Sequence, residues 1–335
     1  MPIKVIQLGV GGFGTTWRHT LNTTQDIEIV ALVDINKDAL KDAAHELGVS
    51  DDLCILRPDR TDGAWAEMEA DVVLDCTTQQ YHHNNAMQTF ASGKHLVVVK
   101  PMSNEWETGV AMVAEAKKRG KKMVVAQQLR FHPVIMKIRE VIQSGALGKV
   151  GYIHQDAFFG KEGYGGSYEQ PYPMLVQGAI HFFDYLRWVL DQDAVSVWAD
   201  CWNPEWTVGA GIRCGYAAFE MSGGIRVCYR SVATGEDQTN WTCNWRVEGE
   251  KGILTVINDR VYLNGEDLHV AWEDDTDIND LNLSVLNKII FGKFVDYLKN
   301  DKEPGFSGRK NLGSLEMAFG AIKSSETGQK YRMGK

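Results

Sequence analysis

The chain has 335 residues, enough for two domains of ordinary size. Its composition, 44% apolar and 24% charged, is typical of a folded globular protein and excludes disordered, collagen-like and coiled-coil chains. The formal net charge of −9 argues against nucleic acid as a partner, because phosphate backbones require a basic surface.

The sequence shows no membrane segment, secretory leader or metal motif. No apolar run approaches the length of a membrane-spanning helix, and the N-terminus enters a strand-like run at once. The six cysteines form no C-x-x-C pair, and no His or Cys pair stands at ligand spacing beside a second pair. We therefore expect a reduced, cytoplasmic protein with no membrane contact and no metal.

Short apolar runs alternate with helix-like stretches over residues 1–125. The runs cover residues 3–8, 28–34, 72–77, 96–100 and 123–127, with a shorter strand near 54–56. Helices are expected from near residue 15, over 37–47, and ending near 91 and 119. Continuous apolar runs suit strands that are buried on both faces, and intervening helices suit crossovers. The pattern predicts an α/β fold whose N-terminal domain is a Rossmann doubly wound parallel sheet.

The pattern changes in residues 126–335. Strand-like segments cover residues 150–159, 195–203, 213–221, 225–233, 241–248 and 253–257. One amphipathic helix is expected at 174–190, and two more at 283–299 and 311–327. Successive strands separated by turns predict an α+β domain with an open, mostly antiparallel sheet. We expect this domain to bind substrate and to form oligomer contacts, with the C-terminal helix packed back on the first domain.

A G-x-G-x-x-G motif stands between the first run and the first helix. Its residues are Gly9, Gly11, Gly12, Phe13 and Gly14. The first glycine permits a tight turn, the second lets the backbone approach a pyrophosphate, and the third allows close packing of helix on strand. The start of the helix offers N–H groups and a positive dipole to the diphosphate. The motif therefore predicts a dinucleotide site.

An acidic residue follows at the spacing that such a site requires. Asp34 lies 20 residues after Gly14, at the end of the second run. A carboxylate there accepts hydrogen bonds from the adenosine ribose and repels a 2′-phosphate. Because Ile35 follows with no adjacent arginine, NAD is favoured over NADP, although Lys37 leaves NADP open. In the alternative interpretation, the glycines only turn the chain and Asp34 caps the next helix.

Five further motifs follow in a characteristic order. They are TTQQYH at 77–82, GKHLVVVKP at 93–101, QLRFHP at 128–133, GALG at 145–148 and HFFD at 181–184. Together with the glycine motif, this series resembles the Gfo/Idh/MocA family, which includes glucose–fructose oxidoreductase and inositol dehydrogenase. The resemblance implies NAD(P)-dependent oxidation or reduction at a carbinol carbon of a sugar, polyol or related cyclic substrate.

The resemblance also implies two catalytic residues. Lys100 matches the lysine of the family's Glu-Lys-Pro motif, and its ammonium can hydrogen-bond the substrate oxygen. His181 matches the histidine of the second catalytic motif, and its imidazole suits proton transfer near neutral pH. We expect the two groups to converge on one reactive carbon. In the alternative interpretation, Lys100 is an exposed surface residue, and His181 is a structural residue whose hydrogen bonds are made within the protein interior.

The chain departs from the family pattern at two positions. Gln177 stands where much of the family has an aspartate, so it can bind a hydroxyl but cannot share a proton. Val99 replaces the glutamate before Lys-Pro. The proton relay therefore runs through the lysine and histidine alone, or it recruits Asp156 or Asp184, which we treat as candidate substrate residues. Asp184 could also orient the imidazole.

The remaining candidate residues surround these positions. By resemblance, the cofactor contacts come from Thr77, Thr78, His82, Lys100, Pro101 and Arg130. His82 is equally interpretable as a structural helix residue, and Arg130 as a salt-bridge partner of an acidic residue. The tyrosine-rich segment 160–173 should border the cleft, with Tyr164 as a substrate candidate, or be a mobile surface loop.

Aromatic residues on the second sheet favour a homo-oligomer. Trp202, Trp206, Trp241 and Trp245 lie on or beside predicted strands, and Trp241 and Trp245 are expected to share a face. Aromatics on an open sheet can stack on sugars, but they more often bury it against a second subunit. We expect a homodimer or homotetramer formed through the C-terminal sheet.

The first functional hypothesis is an NAD-dependent dehydrogenase that acts on a small carbohydrate or polyol. The second is an NAD-dependent glycoside hydrolase or epimerase that oxidises a sugar transiently and keeps its cofactor tightly held. The third is a non-enzymatic NAD-binding regulator, for which Gln177 is the only support in the sequence.

Overall fold

The computed structural model describes residues 1–160, 170–236, 238–274 and 276–334. The chain divides into two compact units. The first comprises Met1–Gln128 and Leu283–Leu312, and the second comprises Leu129–Asn282 and Gly313–Lys335. Tyr164 lies outside the described residues, so its predicted role stays a prediction.

The first unit contains a six-stranded sheet in the order β3-β2-β1-β4-β5-β6. Its strands are β1 Ile3–Leu8, β2 Ile27–Asp34, β3 Cys54–Leu56, β4 Val72–Asp75, β5 His95–Val99 and β6 Met123–Ala126. All pairings are parallel. Every residue of β4 and β6 is buried, as expected for a sheet covered on both faces. The predicted Rossmann sheet is confirmed, and its strand order reverses between β1 and β4, where open α/β sheets bind ligands.

The α-helices of the described ranges, in chain order, are α1 Arg18–Thr23, α2 Lys37–Leu47, α3 Gln79–Ala91, α4 Trp106–Lys118, α5 Pro133–Gln143, α6 Ala179–Leu190, α7 Leu283–Asn300 and α8 Gly308–Thr327. At two places where an α-helix was predicted to begin, the structure has a different kind of helical turn. The helix expected from residue 15 is preceded by a 3-10 turn, Gly12–Trp17, and the one expected from residue 174 starts as a π-helix, Met174–Gly178. Both irregular turns adjoin candidate site residues.

The helix α5 was not predicted from the sequence. His132 caps this helix by accepting a hydrogen bond from the Val134 N–H at 3.4 Å, and Pro133 occupies its first turn. The helix buries one apolar face, which consists of Val134, Ile135, Ile138 and Val141. The cap, the proline and the periodic apolar face together explain why this segment is helical.

The second unit contains a nine-stranded sheet in the order β14-β13-β12-β11-β7-β10-β9-β8-β15. Its strands are β7 Val150–Gly160, β8 Ala194–Trp202, β9 Cys214–Met221, β10 Arg226–Gly235, β11 Asn244–Gly249, β12 Gly252–Ile257, β13 Arg260–Leu263, β14 Glu266–Asp267 and β15 Tyr331–Arg332. Only the β7–β10 pairing is parallel among those described. The predicted mostly antiparallel sheet is confirmed, whereas β13, β14 and β15 were not predicted.

Burial alternates along the strands of the second sheet, so one face carries the core and the other is open. In β7, Ile153, Gln155, Ala157 and Phe159 are buried, while the residues between them are partly exposed. No helix in the described part of the chain is long and apolar enough to cross a membrane.

Candidate active site

The glycine motif forms a tight turn after β1 that requires glycine at two positions. Gly9 has φ 77°, in the left-handed region that favours glycine. A Cβ on Gly14 would lie 2.1 Å from the Gly9 carbonyl oxygen, so any side chain there would push the turn apart. The two glycines therefore allow the 3-10 turn to pack directly against the end of β1.

A buried glutamine on β1 ties this turn together, and sequence analysis missed it. The Gln7 side chain is fully buried, and its Nε2 donates to the carbonyl oxygens of Gly9 and Gly14, each at 3.1 Å. A polar residue in an otherwise apolar strand was the available signal. Its hydrogen bonds hold the two ends of the glycine turn in register.

Asp34 lies at the carboxyl end of β2, beside the glycine turn. Its Oδ2 accepts hydrogen bonds from the N–H groups of Val10 and Gly11 at 2.8 and 3.2 Å, and its Oδ1 accepts from Asn36 N–H at 2.9 Å. The side chain that caps α2 belongs to Asn36, so the alternative in which Asp34 caps that helix is wrong. A carboxylate retains further lone pairs for ribose hydroxyls.

The loop after β4 is built on a buried carboxylate. Asp75 is fully buried and accepts hydrogen bonds from the Thr77 N–H at 3.0 Å, the Thr77 hydroxyl at 2.6 Å and the Asn85 amide at 3.0 Å. Thr78 is the residue before α3 and makes no capping hydrogen bond through its side chain. This arrangement fixes Thr77, a predicted cofactor residue, at the carboxyl edge of the sheet.

His82 joins that loop to the segment after β5. Its ring nitrogens lie 2.9 Å from the carbonyl oxygens of Thr77 and Pro101. The structure therefore brings together three predicted cofactor residues, and the segment that they fix includes Lys100. The Lys100 side chain is half-buried, and burial of its amine lowers the pKa to about 8.

The residues of the first unit fit a dinucleotide. A side chain on Gly14 would clash with the turn, whereas a Cβ on Gly12 would meet no atom within 4 Å, so the outer surface of the turn is open. The Asp34 carboxylate borders that open surface, and Lys100 follows β5 on the carboxyl edge of the same sheet. Backbone N–H groups, a ribose acceptor and a cation are the groups that such a ligand requires.

In the second unit, His181 is buried on α6 against aromatic rings. Its ring lies 5.6 Å from that of Trp241, edge to face, and Trp241 lies 5.3 Å from Phe159. Gln177 is buried in the π-helical turn, and a Cβ added to the next residue, Gly178, would lie 3.7 Å from the Phe159 ring. The prediction that Trp241 lies on a strand beside Trp245 is wrong, because β11 begins only at Asn244.

Two other predicted site residues, Arg130 and Asp184, pair with each other. Arg130 Nη2 donates to Asp184 Oδ1 at 2.6 Å, and its Nε donates to the other carboxylate oxygen. The Ser314 hydroxyl donates to Asp184 Oδ1 at 2.9 Å, and Arg187 donates to Ser314 at 2.8 Å. Arg130 and Asp184 are almost fully buried. The proposed cofactor role of Arg130 and substrate role of Asp184 stay predictions beside this structural one.

Asp156 lies on the open face of the second sheet. Its carboxylate accepts hydrogen bonds from Arg230 at 2.7 and 2.8 Å and contacts His154 Nε2 at 2.7 Å. Hydrogen bonds from these two partners lower the pKa of Asp156 against the opposing effect of burial, which is the largest single influence. Its role with substrate stays a prediction.

Comparison with known proteins agrees with this architecture. Residues 3–127 match the model of the oxidoreductase family with an NAD-binding Rossmann fold, and residues 135–255 match the model of the GFO/IDH/MocA C-terminal domain. The fold and the glycine turn thus define an NAD-binding oxidoreductase.

The chain belongs to the Gfo/Idh/MocA family. The uncharacterized protein y4oX of Sinorhizobium fredii is 25% identical over 99% of this chain and 96% of its own length. Inositol 2-dehydrogenase from Cereibacter sphaeroides is 28% identical, over 58% of this chain and only 56% of its own length. The structure of the WlbA dehydrogenase from Bordetella pertussis, in complex with NADH and UDP-GlcNAcA, has a TM-score of 0.81, 21% identity and full coverage of both chains.

Proposed function

We propose that this chain is an NAD-dependent dehydrogenase that oxidises a carbinol carbon of a sugar, polyol or sugar derivative. The observation that carries the proposal is Lys100, whose pKa burial lowers to about 8. The amine follows β5 in the unit that also contains the glycine turn and Asp34. An amine of this kind is present in both protonation states near neutral pH, so it can exchange a proton with a substrate hydroxyl.

The glycine turn and Asp34 would hold NAD, which would supply the hydride acceptor for the carbinol carbon. Lys100 would hydrogen-bond the substrate oxygen as the hydroxyl loses its proton. For the second unit, His181 is proposed as a proton acceptor, with the Trp241 ring packed against its imidazole. Gln177 would bind a neighbouring hydroxyl without changing charge. These roles are proposed for each unit on the contacts within it.

Several observations support the cofactor and the substrate class. The carboxylate of Asp34 suits the two ribose hydroxyls of NAD and disfavours the 2′-phosphate of NADP. Several relatives that share part of the chain are inositol dehydrogenases, and a structural neighbour was crystallised with UDP-GlcNAcA. A cyclic substrate with several hydroxyls is consistent with both.

A substrate screen tests this function. Wild-type protein would be incubated with inositols, aldoses, sugar acids and nucleotide sugars, with NAD⁺ and NADP⁺ in parallel, while reduced cofactor is followed by absorbance. We expect NADH formation with at least one member and weaker or no reaction with NADP⁺. Binding of NAD⁺ without turnover on any class would contradict the proposal. Product formation without net NADH would favour the hydrolase or epimerase alternative.

We also propose that a second copy of the chain covers the open face of the second sheet. Trp198 and Trp202 are 41% and 43% exposed and lie 5.5 and 5.7 Å from the Tyr216 ring. Tyr216 stands opposite Arg230, which stands opposite Asp156, so these residues share the face.

Several charges on this face are paired within it, because Arg230 bonds Asp156 and Arg246 bonds Glu248. Asp200, which stands opposite Tyr216, adds an exposed carboxylate between the two tryptophans. An aromatic face whose charges are largely paired can meet its own copy with little repulsion. We expect sedimentation analysis to show a dimer or tetramer and Trp202→Asp to weaken it. A monomeric wild type would refute this assignment.

All six cysteines are free, which supports a reducing, cytoplasmic location.

A further inference from the structure

His82 contacts two loops of the candidate cofactor site at once. The imidazole is 1% exposed, with Nδ1 2.9 Å from the Pro101 carbonyl oxygen and Nε2 2.9 Å from the Thr77 carbonyl oxygen. Thr77 follows β4 and Pro101 follows β5, which are adjacent strands of the sheet. A single side chain therefore joins the two segments.

Both partners of the ring can only accept hydrogen bonds. A neutral imidazole has one N–H and one lone pair, so one of its nitrogens would face a carbonyl oxygen lone pair to lone pair. At 2.9 Å in a buried site, such a contact is repulsive and leaves two polar groups unsatisfied. Only the doubly protonated ring donates to both carbonyls.

A buried carboxylate, Asp75, also contacts Thr77. The Asn85 amide donates to the Thr77 hydroxyl at 3.1 Å, so that hydroxyl directs its own proton to Asp75. Every described partner of Asp75 thus donates to it, as expected for an ionised carboxylate. An imidazolium bonded to the Thr77 carbonyl oxygen would bring a positive charge to the residue that this carboxylate holds.

Charged groups of both signs lie near this cluster. The Arg57 guanidinium donates to the Asn85 side-chain Oδ1 at 3.4 Å. Asp62, Asp75 and Asp59 attract this guanidinium electrostatically, although burial is the main influence on the Arg57 pKa and lowers it. The Lys100 amine is carried by the residue before Pro101.

We propose that His82 is a positioning residue, held as an imidazolium, that clamps the Thr77 loop to the Lys100–Pro101 segment. It acts on the reaction through Lys100, because the carbonyl that it holds belongs to the next residue along the chain. The expected effect of this clamp on turnover rests on the proposed function. The protonation of His82 and its effect on the Lys100 amine do not depend on that function.

Nitrogen-15 NMR of the apo protein, with labelled histidine rings, tests the protonation. The His82 signals would be assigned by their loss in His82→Gln or His82→Asn, and His269, whose side chain is 88% exposed, serves as the reference. In a spectrum where the exposed reference ring carries a single proton, we expect both His82 nitrogens to carry protons, because each faces a carbonyl oxygen. An unprotonated His82 nitrogen in that spectrum would overturn the proposal.

Competitive amine labelling across pH tests the positioning. In wild type, the reactivity of Lys100 should show a midpoint near its pKa of about 8. We expect His82→Gln to move this midpoint toward that of an ordinary lysine, because the released segment lets water reach the amine. His83→Gln, at the neighbouring half-buried position on the same helix, is the matched control and should leave the midpoint unchanged.

Turnover separates this inference from the proposed function. Loss of a hydrogen bond to a charged group predicts that His82→Gln slows kcat about tenfold or more, with little change in the dissociation constant of NAD⁺. Equal Lys100 midpoints and turnover in His82→Gln and His83→Gln would refute the positioning role. If the wild-type protein is inactive, the proposed dehydrogenase function is refuted. The NMR and labelling results would still test whether His82 clamps the two segments.

Discussion

The two units hold their candidate site residues by different means. In the first unit, side chains bond backbone groups of loops at the strand ends, as Gln7, Asp34 and His82 do. In the second unit, charged side chains bond each other in the interior, as Arg130 and Asp184 do. The contrast shows two routes to a positioned functional group on one chain.

This difference predicts different responses to substitution. Burial already disfavours the ammonium of Lys100, so an apolar side chain in its place should cost little stability. Removing one member of a buried ion pair leaves the other charge in a medium of low dielectric constant. Substitutions in the first unit should therefore change function more than stability, and those in the second unit should do the reverse.

The largest effect on activity is expected from Lys100→Met. Loss of a proton-transfer group predicts a fall in turnover of about 10²–10⁴-fold at saturating NAD⁺. The free energy of unfolding in urea should be unchanged or slightly higher, because the apolar group replaces an amine whose charged form burial disfavours. Lys118→Met, at an exposed position of α4, is the control. Full turnover in Lys100→Met would refute the role assigned to this lysine.

The largest effect on stability is expected from Asp184→Asn. The Arg130 guanidinium then stays buried without its counter-charge, which predicts a loss of about 3–5 kcal/mol in the free energy of unfolding. The double variant Arg130→Met/Asp184→Leu should recover much of this loss. Glu248→Gln, which breaks an exposed pair, should cost less than about 1 kcal/mol. Equal losses of unfolding free energy in Asp184→Asn and Glu248→Gln would contradict the prediction that the buried pair stabilises the second unit more than an exposed pair.

Acid should also destabilise the second unit through His132. This ring is fully buried, and burial lowers its pKa from 6.5 to about 4, while the backbone of Ile278 and Asp280 acts in the opposite direction. The unfolded chain binds the proton more tightly, so stability falls as pH decreases from 6.5 to 4, by about 3 kcal/mol in total.

His132→Asn keeps a helix cap and removes this titration. Urea unfolding at several pH values should therefore show a shallower acid dependence in the variant. In the first unit, burial lowers the pKa of the half-buried His95 to about 4 as well, so some acid dependence should remain. An unchanged pH profile would show that His132 does not contribute.

The smallest effect is expected from Asp34→Asn, which keeps an acceptor for the glycine turn but removes the charge. We expect NAD⁺ to bind about 1–2 kcal/mol more weakly and the preference over NADP⁺ to narrow. Calorimetric titration of both dinucleotides measures the change. An unaltered preference would mean that groups other than this carboxylate discriminate between the cofactors.

Sequence patterns predicted the local features of the first unit well. The glycine turn and Asp34 are recognisable because parallel strands end at one edge, so residues far apart in the chain meet at known spacings. Gln7 was missed although a polar residue in a buried strand is a visible signal. The helix α5 was missed in the same way, despite a proline at its start and an apolar face.

Other features left no pattern that could be interpreted alone. Arg130 is 54 residues from Asp184, and Ser314 is 130 residues from it, so their pairing depends on how the helices pack. The β15 strand has two residues and exists because the edge of β8 offers it partners. Trp241 lies beside His181 because the chain turns before β11 begins.

The sequence by itself determined the fold class, the dinucleotide motif and the family of this protein, since apolar periodicity and glycine spacing follow from local backbone chemistry. Only the tertiary structure decided which polar groups meet: the Arg130–Asp184 pair and the two carbonyls around His82. A buried polar group must be satisfied by whatever the packing brings near, and packing is a property of the whole chain.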